Sequence, residues 1–125
     1  MAAEPIVALA EQGQRVAADG GSFSIHEWSG SGPPRLHLHH EDDEAWHVLE
    51  GSLRFRFSDR TVDVPAGGTV FVPAGVAHTY ESVDQARYLV ILTPRIRRLI
   101  ADLHSAPDRL ADDEIYGRYR SEIVE

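Results

Sequence analysis

The feature that most constrains this chain is a run of short apolar stretches, each alternating in polarity, cut apart by turn clusters every eight to twelve residues from about residue 20 to residue 93. Phe23 to Trp28 reads as a strand and is broken by the glycine- and proline-rich segment 29–34. Leu36 to His40, Ala45 to Leu49, Leu53 to Phe57, Thr61 to Val64, Thr69 to Val72, Val76 to Val83 and Arg87 to Thr93 follow. Polar or glycine-bearing turns at Glu41-Asp42-Asp43, Glu50-Gly51, Ser58-Asp59-Arg60 and 65–68 separate several of them. Segments this short cannot each bury a face alone, so they must pair. The lack of a helix-period stretch between them argues against a parallel α/β sheet, and an all-β antiparallel sandwich or barrel is expected. Beyond Pro94 the period changes. Ile96, Leu99, Ile100 and Leu103 recur at helical spacing, which predicts a helix over 95–104, with a second short helix around Ile115 and Tyr119. The chain is read as one domain, residues 1–125, with a barrel core at about 20–93 and a helical tail, 94–125, packed on the outside of the barrel.

Composition narrows the function classes. Twenty acidic residues against twelve basic ones, all arginine, give a net charge of −8, and no stretch supplies the basic face that phosphate backbones require. Nucleic acid is therefore not an expected partner. The absence of cysteine removes disulfides, thiolate metal sites and cysteine nucleophiles. No apolar run approaches the ~20 residues of a membrane span. The opening stretch carries Glu4 and Glu11 and no basic residue before Arg15, unlike a secretory signal, so a cytoplasmic location is expected.

Seven histidines remain to be placed. On a strand, His37 and His39 project to one face with Cα atoms roughly 6–7 Å apart, close enough for two imidazoles to share an ion. Leu38 and His40 take the other face. Glu44 has the wrong parity for a single strand, but the turn at 41–43 resets the register. His78 follows the Pro73-Ala74-Gly75 turn at the start of another strand. Three imidazoles and one carboxylate suit iron, manganese, nickel, zinc, cobalt or copper rather than calcium or magnesium. A His-x-His pair, an acidic turn or a histidine after a turn is weak evidence alone; their combination is not.

The segment PPRLHLHHEDDEAWHVLEG, residues 33–51, resembles the first sequence motif of the cupin family, with His37, His39, Glu44 and Gly51 on its H, H, E and G. The segment GGTVFVPAGVAH, residues 67–78, resembles the second, with Gly67, Pro73, Gly75 and His78 matching. Fifteen residues separate the two motifs, as in small microbial cupins. Three positions depart: Gly32 is one residue out of register with the first motif's opening glycine, Ser82 stands where the second motif has asparagine, and His47 stands where an aromatic is common. None is a metal ligand in the family. The Gly117-Arg-Tyr119 stretch also resembles one near the end of many small cupins. The resemblance implies a jelly-roll barrel of antiparallel strands, open at one end, with one divalent transition metal near the mouth on His37, His39, Glu44 and His78.

Parity extends the expected site. Trp46 shares the face of Glu44, and Tyr80 that of His78, so both are pocket walls or ordinary aromatic core. Arg35 shares a face with His37 and His39, where it either meets an anionic group or is solvated. His26 is a candidate partner behind the ligands, and Glu44 a candidate base as well as a ligand. The resemblance implies a small-molecule substrate and a homodimer, paired through a sheet edge that the N-terminal segment could supply. Its first functional implication is a metal-dependent oxidoreductase similar to the quercetin-dioxygenase-type cupins. A non-catalytic metal- and ligand-binding module, or a metal-dependent isomerase or lyase, is the alternative.

Overall fold

The computed structural model describes residues 4–106 and 112–125; the expected helical tail crosses 107–111, which lie outside the described residues. Among the described residues, eight strands and two helices follow a short 3-10 turn at 10–12: β1 Ala17–Asp19, β2 Ser24–Ser29, β3 His37–His39, β4 Glu44–Phe57, β5 Thr61–Pro65, β6 Thr69–Val72, β7 His78–Leu92, α1 Pro94–Ser105, α2 Asp112–Arg118 and β8 Ser121–Ile123. All pairings are antiparallel. No helix among the described residues is long and apolar enough to cross a membrane.

β4 and β7 are the spine. They lie side by side along their whole length, from Ala45 opposite Ile91 to Phe57 opposite His78. Halfway along, the register shifts twice, between Val48 and Glu50 and between Glu50 and Ser52. On β7 the extra residues Asp84 and Gln85 take positive φ values of 56° and 53°; on β4, Gly51 does so at 67°. A Cβ at Gly51 would stand 2.6 Å from the Asp84 carbonyl oxygen, so the close approach of the two strands at this bulge needs glycine. Ser82 finds its role here: its hydroxyl accepts from Ala86 N at 2.9 Å, bracing the bulge.

The bulge divides one continuous sheet into two layers. The first half of β4 and the second half of β7 carry β6, β2 and β1; the other halves carry β5, β3 and β8. The hydrogen-bonded path has ends, as in a jelly roll, and does not close on itself. Buried residues on β4 are Glu44, Trp46 and Val48 before Gly51, then Leu53 and Phe55 after it. The inward parity thus jumps by one residue at the bulge. That jump is why alternation reads 45–49 and 53–57 as two strands, although the backbone runs through as one. The expected strands at 76–83 and 87–93 likewise run together as β7, residues 78–92. There the two extra residues of the bulge leave the inward parity unchanged, from His78 and Tyr80 to Ala86, Tyr88, Val90 and Leu92. Aromatic edges join the layers: Trp46 meets Phe55 at 5.0 Å and Tyr80 at 5.5 Å between centroids.

The tail does not lie on the outside. Thr93 caps α1, its hydroxyl accepting from Ile96 N at 3.2 Å with Pro94 in the first turn, an arrangement worth about 1 kcal/mol. Ile96 enters the main core, while Leu99 packs on Ile115 and Tyr116 of α2. β8 then pairs with β3, setting Ser121 opposite His39 and Ile123 opposite His37. The expectation of an external tail fails because β3, only three residues long, has an open edge that another strand must cover.

Candidate metal centre

His37 and His39 point inward from β3, and His78 points inward from β7 directly opposite His37. Glu44 opens β4 in the other layer and is buried too. The site therefore bridges the two layers, which a parity argument along one strand cannot reveal. One nitrogen from each of the three histidines lies within 4.8 Å of the others. Nitrogens bound to one ion at about 2.1 Å stand roughly 3–4 Å apart, so small ring movements close the set on a metal. Glu44 Oε1 lies 2.9 Å from Nε2 of both His39 and His78.

The chemistry of the rings tests the fit. His37 Nδ1 lies 2.9 Å from the Arg35 carbonyl oxygen, and His78 Nδ1 lies 3.0 Å from that of Val76. A carbonyl only accepts, so both Nδ1 atoms carry hydrogen. His39 Nδ1 lies 2.7 Å from Ser121 Oγ. Each ring thus has a partner on its outer nitrogen. The inner nitrogens of His39 and His78 face the Glu44 carboxylate, which only accepts, so a cation between them would satisfy both sides, as at a metal-binding histidine site. These three residues could hold a metal ion.

Burial holds the His37 imidazole well below its ordinary range, to about 4, with the neighbouring His78 adding to the effect. A neutral ring is the form that ligates. Burial alone would raise the Glu44 carboxyl, but hydrogen bonds and charges from His39 and His78 outweigh it and bring it down to about 2. Glu44 is therefore an acceptor-only anion beside the histidines.

A cavity of about 760 Å³ leads from this cluster, walled by Trp46, Tyr80, Tyr88 and Trp28 and roofed by Leu99, Tyr116 and Ile123. Trp46 and Tyr80 are both core and wall: each is buried in the main apolar cluster and lines the cavity. Tyr88 donates to the Gly30 carbonyl at 2.9 Å, so the Tyr80 hydroxyl, 2.9 Å away, donates to Tyr88 and keeps only lone pairs for another group. Trp46 Nε1 approaches that hydroxyl without closing a standard hydrogen bond and is left buried without an acceptor. Gly32 lies against Tyr80, where a Cβ would come within 2.4 Å of the ring, so this position needs glycine.

Arg35 lines the cavity, but its guanidinium donates to the Glu125 carbonyl at 3.0 Å and faces Asp113 at 3.9 Å; its backbone carbonyl serves His37. His26 is not a partner of the ligands: it bonds Asp19 at 2.8 Å. His47 points outward to Thr69 Oγ1 at 2.7 Å, and His40 to Glu122 at 3.2 Å, both as parity requires. Sequence reasoning missed Tyr88, Tyr116 and Ser121. Continued β7 parity from Tyr80 through the bulge would have found Tyr88; no local signal marks the other two.

The comparisons agree with this architecture. Residues 24–92, more than half of the chain, match the cupin domain, and the chain belongs to the cupin family. An uncharacterized protein of Streptomyces coelicolor is 36% identical over 56 residues, 44% of this chain; the match spans about half (53%) of that relative's length. Among solved structures, the polyketide cyclase RemF from Streptomyces resistomycificus is similar with a TM-score of 0.54 and 27% identity over 64% of this chain and 63% of that one. A cupin-2 domain protein from Shewanella frigidimarina gives a TM-score of 0.53 at 23% identity, over 64% of this chain and 79% of that one. The Streptomyces protein PAC13, solved with uridine, gives 0.57 at 12% identity over 90% of this chain and 76% of that one, a likeness of fold alone.

Proposed function

We propose that this chain is a metal-dependent enzyme that oxygenates a small, uncharged, ring-sized organic molecule. His37, His39 and His78 hold one divalent transition metal, with Glu44 as the fourth protein ligand. The observation that carries the reading is the convergence of three inward-facing imidazoles at the head of a deep aromatic cavity. A metal held by these four ligands would keep one or two coordination positions open and would supply Lewis-acid and redox chemistry there.

The protein's own groups support this choice of substrate. The two arginines on the cavity wall are engaged, Arg15 with Glu27 at 3.3 Å and Arg35 with Asp113 and Glu125, so an anionic group would have to break existing pairs. Trp46 and Tyr80 offer flat faces, and the Tyr80 lone pairs suit a ligand hydroxyl that donates. Burial keeps the Tyr80 and Tyr88 phenols protonated at neutral pH, so they orient a ligand rather than remove its protons.

Iron- or manganese-loaded protein should consume oxygen with a phenolic, enolic or diketone compound, and the rate should collapse in His78→Ala supplied with excess metal. Oxygen uptake that stays at background with every metal, while such compounds bind, would remove the oxygenase. Similarity to a polyketide cyclase favours a second reading, metal-assisted cyclisation or isomerisation without oxygen. That reading predicts product formation under anaerobic conditions. We further propose a homodimer, supported by the exposed Ile6 and Val7 of the N-terminal segment and by the edge position of β1. Light scattering that returns the 13.9 kDa monomer would remove it.

A further inference from the structure

Two of the three histidines are oriented from within their own stretch of chain: His37 and His78 each donate Nδ1–H to the carbonyl two residues earlier. His39 is different. Its outer nitrogen meets Ser121 Oγ, 82 residues later, at 2.7 Å, and both residues are 4% exposed. Ser121 Oγ also donates to the Tyr119 carbonyl at 3.0 Å. A hydroxyl has one hydrogen; with that hydrogen given to Tyr119, Oγ can only accept from His39 Nδ1–H. The backbone fixes this contact, because β8 runs beside β3 with Ser121 directly opposite His39. The tail also sets Tyr116 of α2 edge-on to His37, at 5.4 Å between ring centroids.

We propose that Ser121 is a positioning residue of the metal site: it holds His39 in the Nδ1–H tautomer with Nε2 directed at the ion, so that metal affinity depends on the docking of the final strand. The proposal rests on the reading of the three histidines as metal ligands. Linkage makes the dependence reciprocal, so a bound ion tightens β8 on β3 as much as a docked β8 tightens the ion. The outer face supplies a matched control: Thr69 Oγ1 holds His47 Nδ1 at the same 2.7 Å, away from the cluster.

Zinc affinity measured by competition with a chromophoric chelator tests this on the full chain. Ser121→Ala should bind zinc about 10–100-fold more weakly, the usual effect of losing a partner behind a ligand. Ser121→Thr, which restores a hydroxyl, should recover most of the loss, and Thr69→Ala should leave affinity unchanged. In the zinc-loaded wild type, nitrogen-edited NMR should show a His39 Nδ1–H proton protected from exchange. A rapidly exchanging proton there, or zinc bound through Nδ1, would overturn the proposal without recourse to any variant. Wild-type affinity in Ser121→Ala would overturn the positioning role and leave the metal reading standing. A wild type that takes up neither zinc nor any other first-row metal would bring down both.

Discussion

The barrel wall and the C-terminal tail contribute to the same site by opposite routes. In the wall, His37 and His78 get their inward direction from strand parity and their tautomer from a carbonyl two residues away. In the tail, Tyr116 and Ser121 reach the site only because Leu99, Ile115 and Tyr116 pack together and β8 finds the open edge of β3. The first route is local and survives most changes elsewhere. The second is as strong as the docking beneath it. Surface pairs reinforce that docking: Glu41, in the turn between His39 and Glu44, binds Arg95 of α1 at 2.7 Å and Arg120 before β8 at 2.8 Å. Such exposed pairs are screened by solvent and contribute little, so apolar packing sets the strength of the docking.

The largest expected effect is in the wall. His78→Ala should lower metal affinity by more than the roughly 10–100-fold typical of residues behind the ligands, without unfolding the sheet. Binding titrations that place His78→Ala level with Ser121→Ala would erase the distinction between the two regions. Next, Leu99→Ala hollows out the contact between α1 and α2 and should cost about 2–5 kcal/mol. Hydrogen exchange should then rise first at the amides of 121–124, while the β4–β7 ladder keeps its protection. Uniform loss of protection would show that tail and wall unfold as one unit.

Acid should act on the wall. His37 is held neutral in the fold down to about pH 4, whereas an unfolded histidine takes up its proton near 6.5. Protonation therefore favours the unfolded chain across that window. Stability present above about pH 6.5 should be lost as pH falls towards about 4, by on the order of 3 kcal/mol. Glu44 extends the loss from its ordinary range down towards about 2. Denaturant melts of metal-free protein at stepped pH would reveal this, and flat stability from pH 7 to 4 would contradict the burial of His37. Metal affinity should weaken over the same range, since proton and metal compete for the same nitrogens. The smallest effect belongs to His40→Ala, which removes an exposed pair with Glu122 and should shift stability by about 0.5 kcal/mol or less, with zinc affinity intact.

Much of the wall was legible because strand geometry is periodic. Alternation placed His37 and His39 together, turned His40 and His47 outward, and put Trp46 and Tyr80 on the inner face. The same alternation broke one strand into two at Gly51, because a positive φ moves the inward face by one residue without ending the hydrogen-bonded ladder. Arg35 was read for its side chain, yet its carbonyl holds His37; every residue has a carbonyl, so nothing in residue type announces which one is used.

What the sequence by itself determined is therefore whatever depends on neighbours within a few residues: strand faces, turn positions, the helix begun by Thr93 and Pro94, and the inward direction of the histidines. Only the tertiary structure decided that Glu44 faces them from the opposite layer, that the tail covers β3, and that Ser121 reaches His39. Those outcomes depend on which strand edges are left open once β4 and β7 have paired and bent at their bulge. That is a property of the assembled sheet, and residues 82 positions apart carry no local pattern that encodes it.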